Sequence, residues 1–269
     1  MRNTGRAALI ALLLVVSMLS AACAKPAQEP AAAPAADPAV ALTISAAASL
    51  KGAMEDIKAA YAVEKPNVTI TCNFGSSGSL QQQIEQGAEV DIFFSAAAKQ
   101  MDALQDKSLI LEDTRKNILE NKIVLVAPKG TTAVTDFNSL TSDAVKKIAL
   151  GEVSSVPVGQ YSEEVLTKMN VMEAVKPKLV YGKDVKEVLT WVETGNADAG
   201  MVYETDSKAS DKVSIIAYAP ADSHKPVVYP AAVVKASKNV DASKEFMSFL
   251  CSEKAKTIFE KYGFAFIIE

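Results

Sequence analysis

Three observations predict an α/β fold of two lobes. From Leu42 onward, β-prone and helix-periodic segments alternate; the alternation halts at the apolar run Ile123-Val124-Leu125-Val126-Ala127-Pro128 and then restarts; a second apolar run, Val227 to Val234, precedes the final helical stretch. Alternation of this kind builds a sheet of mostly parallel strands flanked by helices. Two such series joined by two extended segments place a cleft between two lobes. Lobe 1 is expected to hold residues 42–122 plus 230–269, lobe 2 residues 123–229, and the hinge strands lie near 122–127 and 226–234.

In the first series, Ala41 to Ala46 is a short strand, and Ser49 opens a helix whose apolar residues Leu50, Ala53, Met54, Ile57 and Tyr61 share one face. Val68 to Phe74 is a strand ended by Gly75-Ser76-Ser77-Gly78, Leu80 to Gln86 a helix stopped by Gly87, Val90 to Ser95 a strand, and 99–107 a helix. The second series places strands at Ile148 to Leu150, Leu179 to Tyr181 and Ala199 to Tyr203, with helices over 160–170 and 184–194 between them. Residues 241–262 read as one terminal helix.

The N-terminus is of another kind. Arg2 and Arg6 precede an uncharged run from Ala7 to Leu19 and then Ser20-Ala21-Ala22-Cys23, the pattern of a secretory signal over 1–22. The run is too short for a mature membrane span. Cys23 after small residues resembles a lipobox, in which the thiol is lipidated and becomes the new N-terminus; Ser20 stands where that motif usually has Leu, and ordinary cleavage after Ala24 is the alternative. Residues 23–41 are then a tether, mostly Ala and Pro, with Pro26, Pro30, Pro34 and Pro38 blocking a stable helix.

Composition excludes several function classes. The chain of 269 residues has 28 Lys plus Arg against 32 Asp plus Glu. There is thus no basic excess to hold nucleic acid. Removing residues 1–22 takes two Arg and no acid, which lowers the formal charge from -4 to -6. One His and three Cys are too few for a His-rich metal site or a disulfide-stapled scaffold.

The chemistry that stands out is a set of predicted helix starts. Ser49 follows Ala46-Ala47-Ala48, and Ser76, Ser77 and Ser79 follow the second strand; Val156-Pro157-Val158-Gly159 and Gly182-Lys183-Asp184-Val185 precede helices in the second series. Hydroxyls and the unpaired N–H groups of a first helical turn attract anions, and loops at the carboxyl ends of strands line the crevice of such folds. An oxyanion held between the lobes follows. Taken singly, each Ser is an ordinary N-cap, Tyr203 an ordinary packed aromatic, and neither nucleotide-binding glycine motif is met.

The runs Ala46-Ala47-Ala48-Ser49-Leu50, Phe74-Gly75-Ser76-Ser77-Gly78-Ser79-Leu80, Gly200-Met201-Val202-Tyr203, Asp222-Ser223-His224-Lys225 and Lys261-Tyr262-Gly263-Phe264 resemble, in order, the bacterial molybdate-binding proteins of ABC importers. The resemblance spans about Leu42 to Phe266. It implies a type II-like periplasmic-binding-protein fold and an exported, non-enzymatic receptor that delivers molybdate or tungstate to a membrane permease. It also implies an oxyanion held by Ser49 and Ser77 from lobe 1 and by Val158, Val185 and Tyr203 from lobe 2, the metal being met only through its oxygens. No cofactor and a monomeric chain, anchored to the membrane through Cys23, complete the expectation. Two positions depart from the family. Ala97 stands where an Asp is usual, and Val158 where Ala is common, although a main-chain donor does not depend on that side chain.

Rival readings are a receptor for another anion, such as sulfate, and a hydrolase with Ser49 or Ser77 as nucleophile. The hydrolase lacks a Gly-x-Ser-x-Gly elbow, and its one His base, His224, falls in a loop. Cys72 and Cys251 read as small buried hydrophobes, with a disulfide the alternative in an exported chain.

Overall fold

The computed structural model describes residues 38–268, which form one compact unit. The signal, Cys23 and most of the tether lie outside the described residues. Among the described residues, no helix is long and apolar enough to cross a membrane.

In chain order the elements are β1 (Val40–Ala47), a 3-10 turn (Ala48–Leu50), α1 (Lys51–Glu64), β2 (Val68–Gly75), α2 (Ser77–Glu85), β3 (Ile92–Phe94), α3 (Ala98–Asp106) and β4 (Lys116–Glu120). They continue with β5 (Ile123–Pro128), β6 (Ile148–Gly151), α4 (Pro157–Lys168), α5 (Met172–Val175), β7 (Leu179–Gly182), α6 (Val185–Glu193), β8 (Ala199–Tyr203), α7 (Glu204–Lys208) and β9 (Val213–Tyr218). The chain ends with β10 (Val228–Val233), α8 (Val240–Leu250), α9 (Glu253–Lys261) and β11 (Ala265–Phe266).

Two sheets result, in the orders β11-β4-β10-β3-β1-β2 and β7-β6-β8-β5-β9. At the heart of each is a parallel triplet, β2-β1-β3 and β7-β6-β8, as the strand-helix alternation requires. The strands added to each triplet run antiparallel, so the sheets are mixed. The physical reason is that β5 and β10 enter their sheets directly from the other sheet, without the crossover helix that makes a parallel neighbour. The chain passes between sheets at Asn121–Lys122 and over 219–227; the apolar runs expected to be hinges are each a strand of one sheet only.

Sequence explains where each strand sits. β5, flanked on both edges, is an unbroken apolar run and almost wholly buried, whereas β2 at an edge alternates buried Val68 with exposed Thr69. Pro230 has no N–H to give the ladder, and the β10–β4 register slips between Tyr229 and Pro230. β1 starts at Val40, inside the stretch read as tether.

The expected terminal helix is two helices. Ser252 breaks it by capping α9, its hydroxyl accepting the Ala255 N–H at 3.2 Å.

Cys72 and Cys251 are both free thiols. Burial pushes the Cys72 thiol up to about 11, with Lys58 pulling slightly down and Glu55 up. An unfolded chain ionises that thiol first, so this contribution to stability is present at neutral pH and fades as pH rises from about 9 toward 11. Alkylation of Cys72 by iodoacetamide, followed by peptide mapping of the native protein, is expected to be negligible at pH 8 and to accelerate only above about pH 10. Rapid labelling at pH 8 would contradict the burial.

Candidate functional site

The carboxyl ends of β1, β2, β3, β6, β7 and β8 all open onto one small cavity between the two sheets. Ser49, Ser77, Val158, Val185 and Tyr203 all line it. None is more than 8% exposed, so all five are shielded from solvent.

Local structure explains why these residues carry free donors. Ser76, in extended conformation, caps α2 and accepts the Ser79 N–H at 3.2 Å. Ser77 is therefore the first residue of the helix, three positions earlier than periodicity placed the start. Val156 occupies the cap position of α4 without a side-chain bond, Pro157 takes the first position, where a missing N–H costs nothing, and Val158 is second. Asp184 caps α6 through the Glu187 N–H at 3.0 Å, while the Glu187 carboxylate reaches back to the Lys183 N–H at 2.7 Å. Val185 is then first. A helical ladder offers no acceptor to N–H groups at these positions, and no other described residue accepts from Ser77, Val158 or Val185. Three helix starts thus present free amides to the cavity, with the positive ends of their dipoles.

The reading of Ser49 as an N-cap is corrected. A 3-10 turn, Ala48–Leu50, continues directly into α1, and Ala47 takes the cap position without a side-chain bond. Ser49 lies inside that turn, and its hydroxyl meets the Tyr229 hydroxyl at 3.0 Å. The Ser77 hydroxyl accepts the Ala96 N–H at 2.9 Å. Ala97 stands at the cap position of α3 and makes no side-chain bond.

Tyr203 ends β8 and is buried edge-on against Tyr229, the ring centroids 5.7 Å apart. Its hydroxyl has no hydrogen bond of acceptable geometry among the described residues. Burial, reinforced by the neighbouring Tyr229, Tyr161 and Asp206, holds its ionisation well above the usual tyrosine range. It is a neutral phenol with a proton to give.

No Lys or Arg lines the cavity. The buried Asp206 carboxylate close by is paired with Lys186 at 2.6 Å; burial raises its ionisation while Lys186 pulls it down. Sequence reasoning missed Tyr229, Asn121 and Asp206, because their roles depend on contacts between residues distant in the chain. Neither serine has a base beside it. His224 makes its bond to the Lys225 carbonyl and is not among the cavity residues, so the parts of a hydrolase are not brought together.

Such a cavity, between two α/β halves and walled by donors, defines a receptor for a small anion in the two-lobed manner of periplasmic binding proteins. The chain belongs to the bacterial extracellular solute-binding proteins, whose family profile matches residues 42–265. It is 50% identical over 226 residues to a Bacillus subtilis protein named, provisionally, an ABC transporter substrate-binding lipoprotein; the match covers 84% of this chain and 86% of that one. It is 40% identical over 229 residues to the molybdate-binding protein of Haemophilus influenzae, covering 83% of this chain and 89% of that one. A solved structure described, provisionally, as the substrate binding domain of a molybdenum ABC transporter from Clostridium difficile matches with a TM-score of 0.67 and 49% identity, over 85% of this chain and 100% of that one.

One contact across the cavity mouth is unusually close. The Gly78 N–H donates to the Ser155 carbonyl at 2.9 Å, and a Cβ on Gly78 would lie 2.4 Å from that oxygen. A side chain there has to push α2 away from the segment before α4. Gly78→Ala is expected to open the cavity and to speed amide exchange over 76–79 and 153–158 by about tenfold or more. Wild-type exchange rates would show that the contact is dispensable.

Proposed function

We propose that this protein captures molybdate, and tungstate, between two lobes built on the two sheets, and presents it to the membrane permease of an ABC importer. The observation that carries the reading is the convergence of Ser49, Ser77, Val158, Val185 and Tyr203, all buried, on one cavity with no cationic side chain among the described residues that line it. The names of the relatives in Haemophilus influenzae and Clostridium difficile support the ligand and the transporter.

In this reading the Ser49 and Ser77 hydroxyls, the Val158 and Val185 amides and the Tyr203 hydroxyl each donate to an oxygen of a tetrahedral dianion. Hydrogen bonds to a charged acceptor are the stronger kind, and several of them offset the lost hydration. A protonated anion brings an O–H that meets donors. Sulfate is a smaller tetrahedron and leaves some donors out of reach. Because the donors come from both sheets and are all buried, the lobes have to part for entry, and the ligand draws them together as a population shift.

The chain acts as an exported monomer without a cofactor. Lipidation at Cys23, outside the described residues, would hold it at the outer face of the membrane, and the Bacillus subtilis relative named as a lipoprotein supports that anchor.

Calorimetric titration of the mature chain with molybdate, tungstate, sulfate and phosphate tests the reading. Molybdate and tungstate are expected to bind tightly and sulfate and phosphate weakly; tight sulfate binding without molybdate would overturn it. Ser49→Ala and Ser77→Ala are each expected to weaken molybdate binding by about 1 to 3 kcal/mol, the cost of a lost bond to a charged group. Two variants that bind like wild type would remove these residues from the site.

A further inference from the structure

Ser49 and Tyr229 share a hydrogen bond of 3.0 Å in which geometry alone leaves either oxygen as donor. The direction matters, because a hydroxyl has one proton. If Ser49 spends it on Tyr229, only lone pairs face the cavity and an anion is repelled; if Ser49 accepts from Tyr229, its proton is free for the ligand.

The surrounding bonds decide between the two. The Lys122 backbone N–H, which can only donate, reaches Asn121 Oδ1 at 2.9 Å. That fixes the Asn121 amide, so its Nδ2 is the atom turned toward Thr205 Oγ1 at 2.9 Å and Tyr229 Oη at 3.2 Å. Both Nδ2 protons are then used, and Tyr229 Oη receives one of them. Ser49 Oγ, at 3.0 Å, is the acceptor left for the Tyr229 proton, because the neighbouring Tyr203 hydroxyl makes no hydrogen bond of acceptable geometry. Asn121 is itself held by its own N–H, bonded to the Val227 carbonyl at 3.0 Å. Tyr229 is fully buried, and burial, with the nearby Asp206 charge, keeps its phenol protonated.

We infer that Asn121 and Tyr229 are positioning residues that turn the Ser49 hydroxyl proton into the cavity and make Ser49 an obligate donor to the bound oxyanion. The inference rests on the anion-binding reading above. Ser77 has the same polarity by a shorter route: its oxygen accepts from the Ala96 N–H at 2.9 Å, a donor with no alternative. Both serines therefore turn acceptor lone pairs to the protein and protons to the ligand. The hydrogen-bonded pairs Asn121–Tyr229 and Ser49–Tyr229 lie 108 and 180 positions apart in sequence, and nothing in their local sequence marks the three residues as a unit.

A double-mutant cycle read by molybdate calorimetry tests the relay, using wild type, Ser49→Ala, Tyr229→Phe and the double substitution, with thermal melts as the control for folding. Tyr229→Phe is expected to weaken binding about three- to tenfold. In the Ser49→Ala background the same substitution is expected to change affinity less than about twofold, because the relay acts only through that hydroxyl. Equal losses in both backgrounds would assign Tyr229 to packing and overturn the inference, as would wild-type affinity in Tyr229→Phe.

If Tyr229→Phe does not fold, Asn121→Asp carries the test. A carboxylate still accepts from Lys122 but turns its other oxygen on Tyr229, which reverses the proton sequence while every oxygen stays in place. Its molybdate affinity is expected to fall at least as far as that of Ser49→Ala, with little further loss when the two are combined; wild-type affinity overturns the relay. If wild type binds none of the four oxyanions, the function and the relay fall together. If wild type binds and the variants bind alike, only the relay falls.

Discussion

The two sheets are tied by two chain crossings that run side by side, and the site depends on that tie. The Asn121 N–H bonds the Val227 carbonyl at 3.0 Å, so the crossing at Asn121–Lys122 and the end of the one over 219–227 are held together. Each parallel triplet places its helix starts at the carboxyl ends of its strands, and the tie sets the two groups of ends facing each other across one cavity. A single triplet would present two or three donors to water, where each is already satisfied. Two opposed triplets bring the five donors of the proposed site to one buried space, where an anion would be the partner they lack.

Neutral donors suit a cavity that has to exist both empty and filled. A Lys or Arg in the wall would be an unpaired buried charge whenever the ligand left, and desolvating such a charge costs several kcal/mol. An amide or hydroxyl left unpaired costs roughly 1 to 3 kcal/mol. The buried Asp206 carboxylate near the site is paired with Lys186, outside the residues that line the cavity. The chain is acidic overall, so long-range attraction contributes nothing to capture, and recognition is entirely local.

Strand-helix alternation was legible because both triplets alternate β-prone runs with helix-periodic ones, and the starts of α2, α4 and α6 are marked by Ser76, Pro157 and Asp184. The family resemblance then pointed to the residues that line the cavity. What was not legible lies where local pattern is silent. β4, β9 and β11 complete their sheets as antiparallel partners, and their short sequences carry little signal of their own. The first turn after β1 tightens into a 3-10 helix that places Ser49 inside the turn and not at its cap, and no local residue type marks that. The break between α8 and α9 was readable in principle, since Ser252-Glu253 is a cap signal inside an otherwise periodic run. Tyr229 read as a strand residue, and only the fold shows its hydroxyl meeting Ser49 and Asn121.

Main-chain donors also restrict how such a site can vary. The amides of Ser77, Val158 and Val185 survive any side-chain substitution that keeps the helix starts in place, so their contribution is set by backbone position and not by residue type. Variation acts instead on three kinds of residue: those supplying hydroxyls, Ser49, Ser77 and Tyr203; those directing the hydroxyl protons, Asn121 and Tyr229; and glycines such as Gly78, whose missing side chain lets the two walls touch. The first set the number of donors, the second their polarity, and the third how completely water is excluded. In the proposed reading, affinity for an oxyanion requires all three together, because a donor facing the wrong way, or one still in contact with water, adds little to a site with no cation among its lining residues.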